Sequence, residues 1–252
     1  MTDLSPILAK ADEALPQSLE RLFDLVRIPS ISTDPAYKAD CRKAGEWLVS
    51  ALTELGFDAS LRDTPGHPMV VAHHAAEKAD APHVLFYGHY DVQPVDPLDL
   101  WEDDPFAPAI KEKDGRKVIT GRGTSDDKGQ LLTFVEACRA YKAVKGSLPV
   151  KITILFEGEE ESGSPSLKPF LAENADELKA DFALVCDTSM WDRETPAIAA
   201  ALRGLVGEEV TIIAADRDLH SGLFGGAAAN PVHILTKILA DLHDETGKVT
   251  LP

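Results

Sequence analysis

The sequence predicts an α/β fold with a mixed, largely parallel central sheet flanked by helices, followed by the opening of an α+β domain. Three observations carry this. Continuous apolar runs at residues 83–88, 150–156 and 182–186 have the pattern of strands covered on both faces. Segments with apolar residues at helical spacing precede them and stand between them. Beyond Asp187 the texture changes to small apolar residues and Gly- and Ala-rich loop. This places a catalytic-type domain at 1–204 and the start of a second domain at 205–252.

Taken in order, the first 28 residues read as helix, with Pro16 starting a second piece in which Leu19, Leu22, Phe23 and Val26 share a face. A further helix follows Asp34-Pro35, with Tyr37, Cys41, Ala44, Leu48, Ala51, Leu52 and Leu55 at helical spacing and Gly56 as its cap. Strands are expected at 57–62 and 69–74, separated by Pro65-Gly66, then at 83–88 and, more briefly, at 118–120. A helix beginning near Asp127 buries Leu131, Leu132, Val135, Cys138 and Tyr141. Strand 150–156, helix 165–174 and strand 182–186 follow. In the second domain the pattern gives a strand at 206–214, a loop at 219–230 and a helix from Pro231 to about His243.

Composition narrows the function. The 252 residues include 42 acidic and 25 basic ones, a net charge of −17. Such a surface repels phosphate backbones and anionic lipid, which disfavours nucleic-acid and membrane-surface roles. No apolar stretch approaches the ~20 residues that span a bilayer, and no basic region followed by an apolar run marks a secretory leader. Cys41, Cys138 and Cys186 are odd in number and set among apolar residues, so they read as reduced thiols in a cytoplasmic protein.

Acids and one imidazole recur where apolar runs end: His89 and Asp91, then Asp126, then Glu160 and Glu161, then Asp187. In open α/β sheets the carboxyl ends of strands are where sites form. A merely solvated acidic surface would scatter its charges along helix faces, so the set reads as a site for hard cations. Asp91 stands two residues from His89, on the same side of extended chain, and can accept the imidazole's second N–H and fix its tautomer. Asp126 and Asp127 compete for one role: a carboxylate with both oxygens free bridges two cations, and Asp127 is better placed as a helix N-terminal acid. Bridging is therefore assigned to Asp126. Of two adjacent glutamates after strand 150–156, one can ligate metal while the other is general base for a metal-activated water. His67, His73, His74, His83, His233 and His243 lack such partners and read as ordinary.

These motifs resemble a known family. His89-Tyr90-Asp91-Val92-Gln93-Pro94 with Trp101 and Pro105-Phe106 downstream, Gly121-Arg122-Gly123 running into Asp126-Asp127-Lys128-Gly129, Glu160-Glu161-Ser162-Gly163-Ser164, and Leu219-His220-Ser221-Gly222 resemble the zinc exopeptidases that include aminoacylase, carboxypeptidase G and carnosinase-type dipeptidases, the dipeptidase branch above all. The resemblance implies hydrolysis of the amide bond of dipeptides or small N-acyl amino acids by a cytoplasmic homodimer, paired through the second, lid-like domain. Two zinc ions per complete subunit are implied, with manganese or cobalt as alternatives. His89 and Asp187 would hold one, Asp126 would bridge, and Glu161 would hold the other. Asp91 would orient His89, Glu160 would be general base and acid, and His220 would reach the partner subunit's site to stabilise an oxyanion. Glu159 falls at a position variable in the family motif and receives no role. Arg203 and Asn230 are weaker candidates for holding a substrate carboxylate. A cis peptide is expected between Asp126 and Asp127.

The family's second zinc also takes a histidine from a C-terminal segment that nothing here matches, which implies a C-terminally truncated chain. Competing readings are a non-catalytic, metal-stabilised scaffold or peptide binder, and an amidohydrolase acting on a non-peptide substrate.

Overall fold

The computed structural model describes residues 3–250. The chain divides into two compact units, Met1–Ala197 and Ile198–Pro252. The first is the mixed α/β unit expected. Helices α1 (Ser5–Val26) and α2 (Lys38–Glu54) lead into strands β1 (Asp58–Arg62), β2 (Met69–His74) and β3 (His83–His89). A hairpin of β4 (Ala109–Lys113) and β5 (Arg116–Thr120) follows, then helix α3 (Lys128–Lys145) and strand β6 (Lys151–Glu157). Helices α4 (Leu167–Glu173) and α5 (Ala175–Leu178) and strand β7 (Phe182–Val185) complete the unit.

The five-stranded sheet has the order β1-β2-β6-β3-β7. β1 and β2 run antiparallel to their neighbours, whereas β6, β3 and β7 are mutually parallel, with His89 opposite Glu157 and Tyr87 opposite Val185. The parallel half therefore delivers the carboxyl ends of three strands to one edge. Alternation along the strands divides the core. Val70, Ala72, Ile152, Ile154 and Phe156 pack with α1, α2 and α3 on one face, while Met69, Val71 and Leu155 meet Phe170 and Leu178 on the other.

The structure differs from the sequence reading in three places. Pro16 does not divide the first helix, because Pro16 and Asp12 are both exposed and water can satisfy the Asp12 carbonyl that loses its bond. The short strand 118–120 lies in a separate two-stranded sheet with β4, a partner the sequence reading missed. No strand forms at 206–214, since no described segment pairs with it and a lone strand has no ladder.

Within the second unit, α6 (Ser221–Phe224) is a single turn and α7 (Pro231–Asp241) is started by Asn230, whose Oδ1 accepts from the Val232 N–H at 2.9 Å. No helix of the described residues is long and apolar enough to cross a membrane.

Gly88 sets how closely α3 approaches β3. A Cβ there would lie 2.8 Å from Asp127 Oδ2 and 3.1 Å from Leu131 Cβ. Leu131 Cβ is fixed to the helix backbone, so relief requires the helix to move. We expect Gly88→Ala to cost about 1–3 kcal/mol, read as a lowered urea midpoint of the intact protein at unchanged slope. An unshifted midpoint would mean that α3 retreats freely.

Candidate metal centre

His89 is the last residue of β3 and is fully buried. Its backbone N–H donates to Asp127 Oδ2 at 3.0 Å. Its Nδ1 lies 3.1 Å from the Asp91 carbonyl oxygen and 3.3 Å from Asp91 Oδ1. Both are acceptors, so the Nδ1 proton belongs there, and Nε2 is left facing Asp126 Oδ1 at 2.9 Å and Asp187 Oδ2 at 3.6 Å. A bare imidazole lone pair opposite two carboxylates is repulsive unless a proton or a cation lies between them. Asp126 is 63% exposed and Asp187 29%, so this point opens to solvent. Ligand atoms of His89, Asp126 and Asp187 all lie within 4.8 Å of one another. One borderline nitrogen and two hard oxygens suit a zinc-like or manganese-like divalent ion.

The loop after β6 is built around Asp91, whose Oδ1 and Oδ2 accept from the backbone N–H groups of Glu160 and Glu161 at 3.2 and 3.1 Å. Asp91 thus sits under both the imidazole and the two glutamates. Glu161 lies outside the three-residue cluster, and its Oε2 accepts from Gln93 Nε2 at 2.6 Å. The peptide between Asp126 and Asp127 is cis.

Burial and crowding of acids show in the ionisation of several members. Burial opposes charge on His89, but its hydrogen bond to Asp91 and the fields of Asp91, Asp127 and Asp126 outweigh it and raise the imidazole to about 10. Burial raises the Asp127 carboxyl to about 7, only partly offset by the His89 N–H. Partial burial also raises Asp187, Glu160 and Glu161, with help from neighbouring acids. The group is short of positive charge.

Several residues near the site carry functions that sequence reasoning did not assign. Asp127, read as a helix N-terminal acid, makes no side-chain cap and holds the His89 backbone instead. Lys128 is fully buried, and its Nζ donates to the Leu25 and Ile28 carbonyls at 3.1 and 2.7 Å, tying the end of α1 to the start of α3. Glu157 accepts from the Tyr87 and Ser164 hydroxyls. Arg122 stacks over the Trp101 ring at 5.1 Å and donates to the Pro94 carbonyl. Glu159, given no role from the sequence, is 3% exposed and accepts two backbone N–H bonds. Of these acids only Glu157 directly follows an apolar run that signals burial, and the principal partners of all three lie far away in sequence.

His220, Arg203 and Asn230 lie in the second unit. His220 is exposed, and its Nδ1 accepts from the Gly222 N–H at 3.0 Å.

Comparison with known proteins agrees with the motifs. A model of peptidase family M20/M25/M40 matches residues 85–250. The chain is 33% identical to the Cys-Gly metallodipeptidase DUG1 of Candida albicans, over 99% of this chain and 54% of that protein. It is 36% identical to the human beta-Ala-His dipeptidase, over 67% of this chain and 33% of that protein. Among solved structures it is similar to human carnosine dipeptidase 1, with a TM-score of 0.76 at 26% identity over 100% of this chain and 55% of that one. The chain spans about half the length of the first of these curated relatives.

The raised groups give a signed pH dependence. Each has a folded pKa above its ordinary value, so its contribution to stability is full below that value and is lost as pH rises through the folded one. For His89 this window runs from 6.5 to about 10, and for Asp127 from 3.8 to about 7. Metal-free protein should therefore lose thermal stability between pH 6 and 9, by about 1–3 kcal/mol, and a divalent cation should restore it. Because the cation displaces the His89 proton, its affinity should rise about tenfold per pH unit below pH ~9. Affinity independent of pH, measured by competition with a chromophoric chelator, would contradict this assignment.

Proposed function

The chain belongs to peptidase family M20/M25/M40, and from that premise we propose that the intact protein is a metal-dependent dipeptidase. Its substrates would be dipeptides or small N-acyl amino acids, cleaved at the amide bond. The observation that carries this reading is the meeting of His89, Asp126 and Asp187 at one point, beside two glutamates whose backbone is fixed on Asp91. The names of the relatives, a Cys-Gly metallodipeptidase and a beta-Ala-His dipeptidase, support the substrate class.

In this proposal His89 and Asp187 would hold one zinc ion, Asp126 would be shared with a second, and Glu161 would serve the second. Manganese or cobalt would suit the same donors. Bound there, such ions supply Lewis acidity, which acidifies water and polarises a carbonyl oxygen. Asp91 keeps the His89 proton on Nδ1, so that Nε2 remains a donor to metal. Glu160 takes a proton from the attacking water and passes it to the leaving amine. Its raised pKa, caused first by burial and then by Glu161, Asp187 and Asp91 against the pull of His89, suits a group that must both accept and release a proton. His220 is proposed to donate to the tetrahedral oxyanion from the partner of a homodimer formed through the second unit. Three free cysteines, two of them buried, support a reducing, cytoplasmic setting.

In the intact, metal-loaded protein we expect hydrolysis of Cys-Gly or β-Ala-His that a chelator abolishes. Glu160→Gln should lower kcat by about 10²–10⁴ with metal content unchanged, measured by ninhydrin assay and elemental analysis. Wild-type turnover in that variant would eliminate Glu160 as the base.

A further inference from the structure

Glu159 is the acid for which the family resemblance supplies no role, and it is among the most constrained side chains near the site. At 3% exposure its Oε1 accepts from the His67 N–H at 2.8 Å and its Oε2 from the Ser166 N–H at 3.0 Å. The two donors belong to different segments: His67 lies in the turn between β1 and β2, and Ser166 immediately precedes α4. The fit to the first segment is close, since a Cβ on Gly66 would lie 1.4 Å from Glu159 Oε1. His67 is itself anchored, its Nε2 lying 3.0 Å from the Ser32 carbonyl oxygen.

The main chain of Glu159 completes the fixation. Its carbonyl accepts from the N–H groups of Ser162 and Ser164 at 3.1 and 2.8 Å and from the Ser162 hydroxyl at 3.1 Å. These bonds enclose the short turn Glu160–Ser162, whose first two N–H groups rest on Asp91. Asp91 thus holds the turn by its N–H groups, and the Glu159 carboxylate ties the start of the turn to the His67 and Ser166 N–H groups. Removing an acid at 3% exposure leaves two buried N–H groups unsatisfied, so the turn would shift to find other partners.

We propose that Glu159 is a positioning residue: its buried carboxylate ties the β6–α4 loop to the β1–β2 turn and thereby sets where Glu160 and Glu161 stand. The role rests on the function proposed above for those two residues. A shift of about 1 Å in a catalytic group is enough to cost about 10²-fold in rate. Because the effect passes through the turn and not through substrate contact, it falls on kcat rather than on KM.

The test uses Glu159→Gln and Glu159→Asp in the intact protein. Glutamine keeps the shape but turns an NH2 towards one N–H donor, and aspartate keeps the charge but is too short to reach both. For folded variants we expect kcat on a dipeptide to fall tenfold or more, with KM within twofold and zinc content unchanged. With cobalt in place of zinc, the visible absorption bands should shift, because Glu161 has moved. Wild-type kcat in either folded variant, or a lowered melting temperature with kcat and bands unchanged, would overturn the proposal. If the wild-type protein has no peptidase activity, the function fails separately, and the cobalt bands still report on Glu159. Amide exchange in the wild type needs no variant: the His67 and Ser166 N–H groups should be strongly protected, and fast exchange at either would refute the tie.

Discussion

Repulsion among carboxylates gathered round one buried imidazole is the constraint on which the rest of this unit depends. Two carboxylates about 4 Å apart repel by about 4 kcal/mol at an effective dielectric of about 20. That is comparable with the whole stability of a domain, about 5–15 kcal/mol. His89 answers part of the repulsion by keeping a proton up to about 10, while burial first and neighbouring acids second make Asp127, Asp187, Glu160 and Glu161 hold their protons more tightly than usual. A divalent cation answers it more completely, because it offers two charges at one point. The same crowding that costs stability in the metal-free protein is thus what makes the point selective for metal.

The fold keeps the acids together through packing that does not depend on them. Parallel pairing of β6, β3 and β7 sends their ends to one edge, and the apolar faces of β2 and β6 bury helices on both sides. Behind the edge, Lys128 gives its ammonium to the carbonyls that end α1, where the helix dipole is negative. Burial pulls its pKa down to about 7, against the fields of Cys41, Asp91 and Asp40. Ser30 adds a second connection from the same segment, its hydroxyl donating to the Tyr90 carbonyl at 2.7 Å and its own carbonyl accepting from Val92 N–H at 3.0 Å. The segment after α1 therefore holds both the strand that carries His89 and the helix that follows Asp126.

Much of this was legible in the sequence because strand ends announce themselves. His89 and Asp187 close continuous apolar runs, and Asp126 stands just before an amphipathic helix, so their convergence followed from topology. Residues whose partners are remote were not legible. Glu159 meets a backbone N–H 92 residues away, and nothing in its neighbours Gly158 and Glu160 signals that. Asp127 looked like a helix-dipole acid because it precedes a helix, but its carboxylate turns to a strand 38 residues earlier. Strand 206–214 failed in the opposite way: its residues have the right pattern, but no segment among the described residues pairs with it.

Adjacent acids at this edge divide their labour in the same manner twice. In Asp126-Asp127 and in Glu159-Glu160, one carboxylate is buried against backbone N–H groups and the other is turned towards the site. Backbone amides are suited to the buried member for an electrostatic reason. A lysine or arginine in their place would bring a full positive charge that repels the cation proposed for this site. An N–H group brings only a dipole, does not titrate, and is fixed by the strand or turn that carries it. The inner acid of each pair is thereby kept on the backbone, and the outer one is left free of it. Pairing an inner, amide-bound acid with an outer, site-facing one lets a dense cluster of negative charge remain both ordered and available to metal.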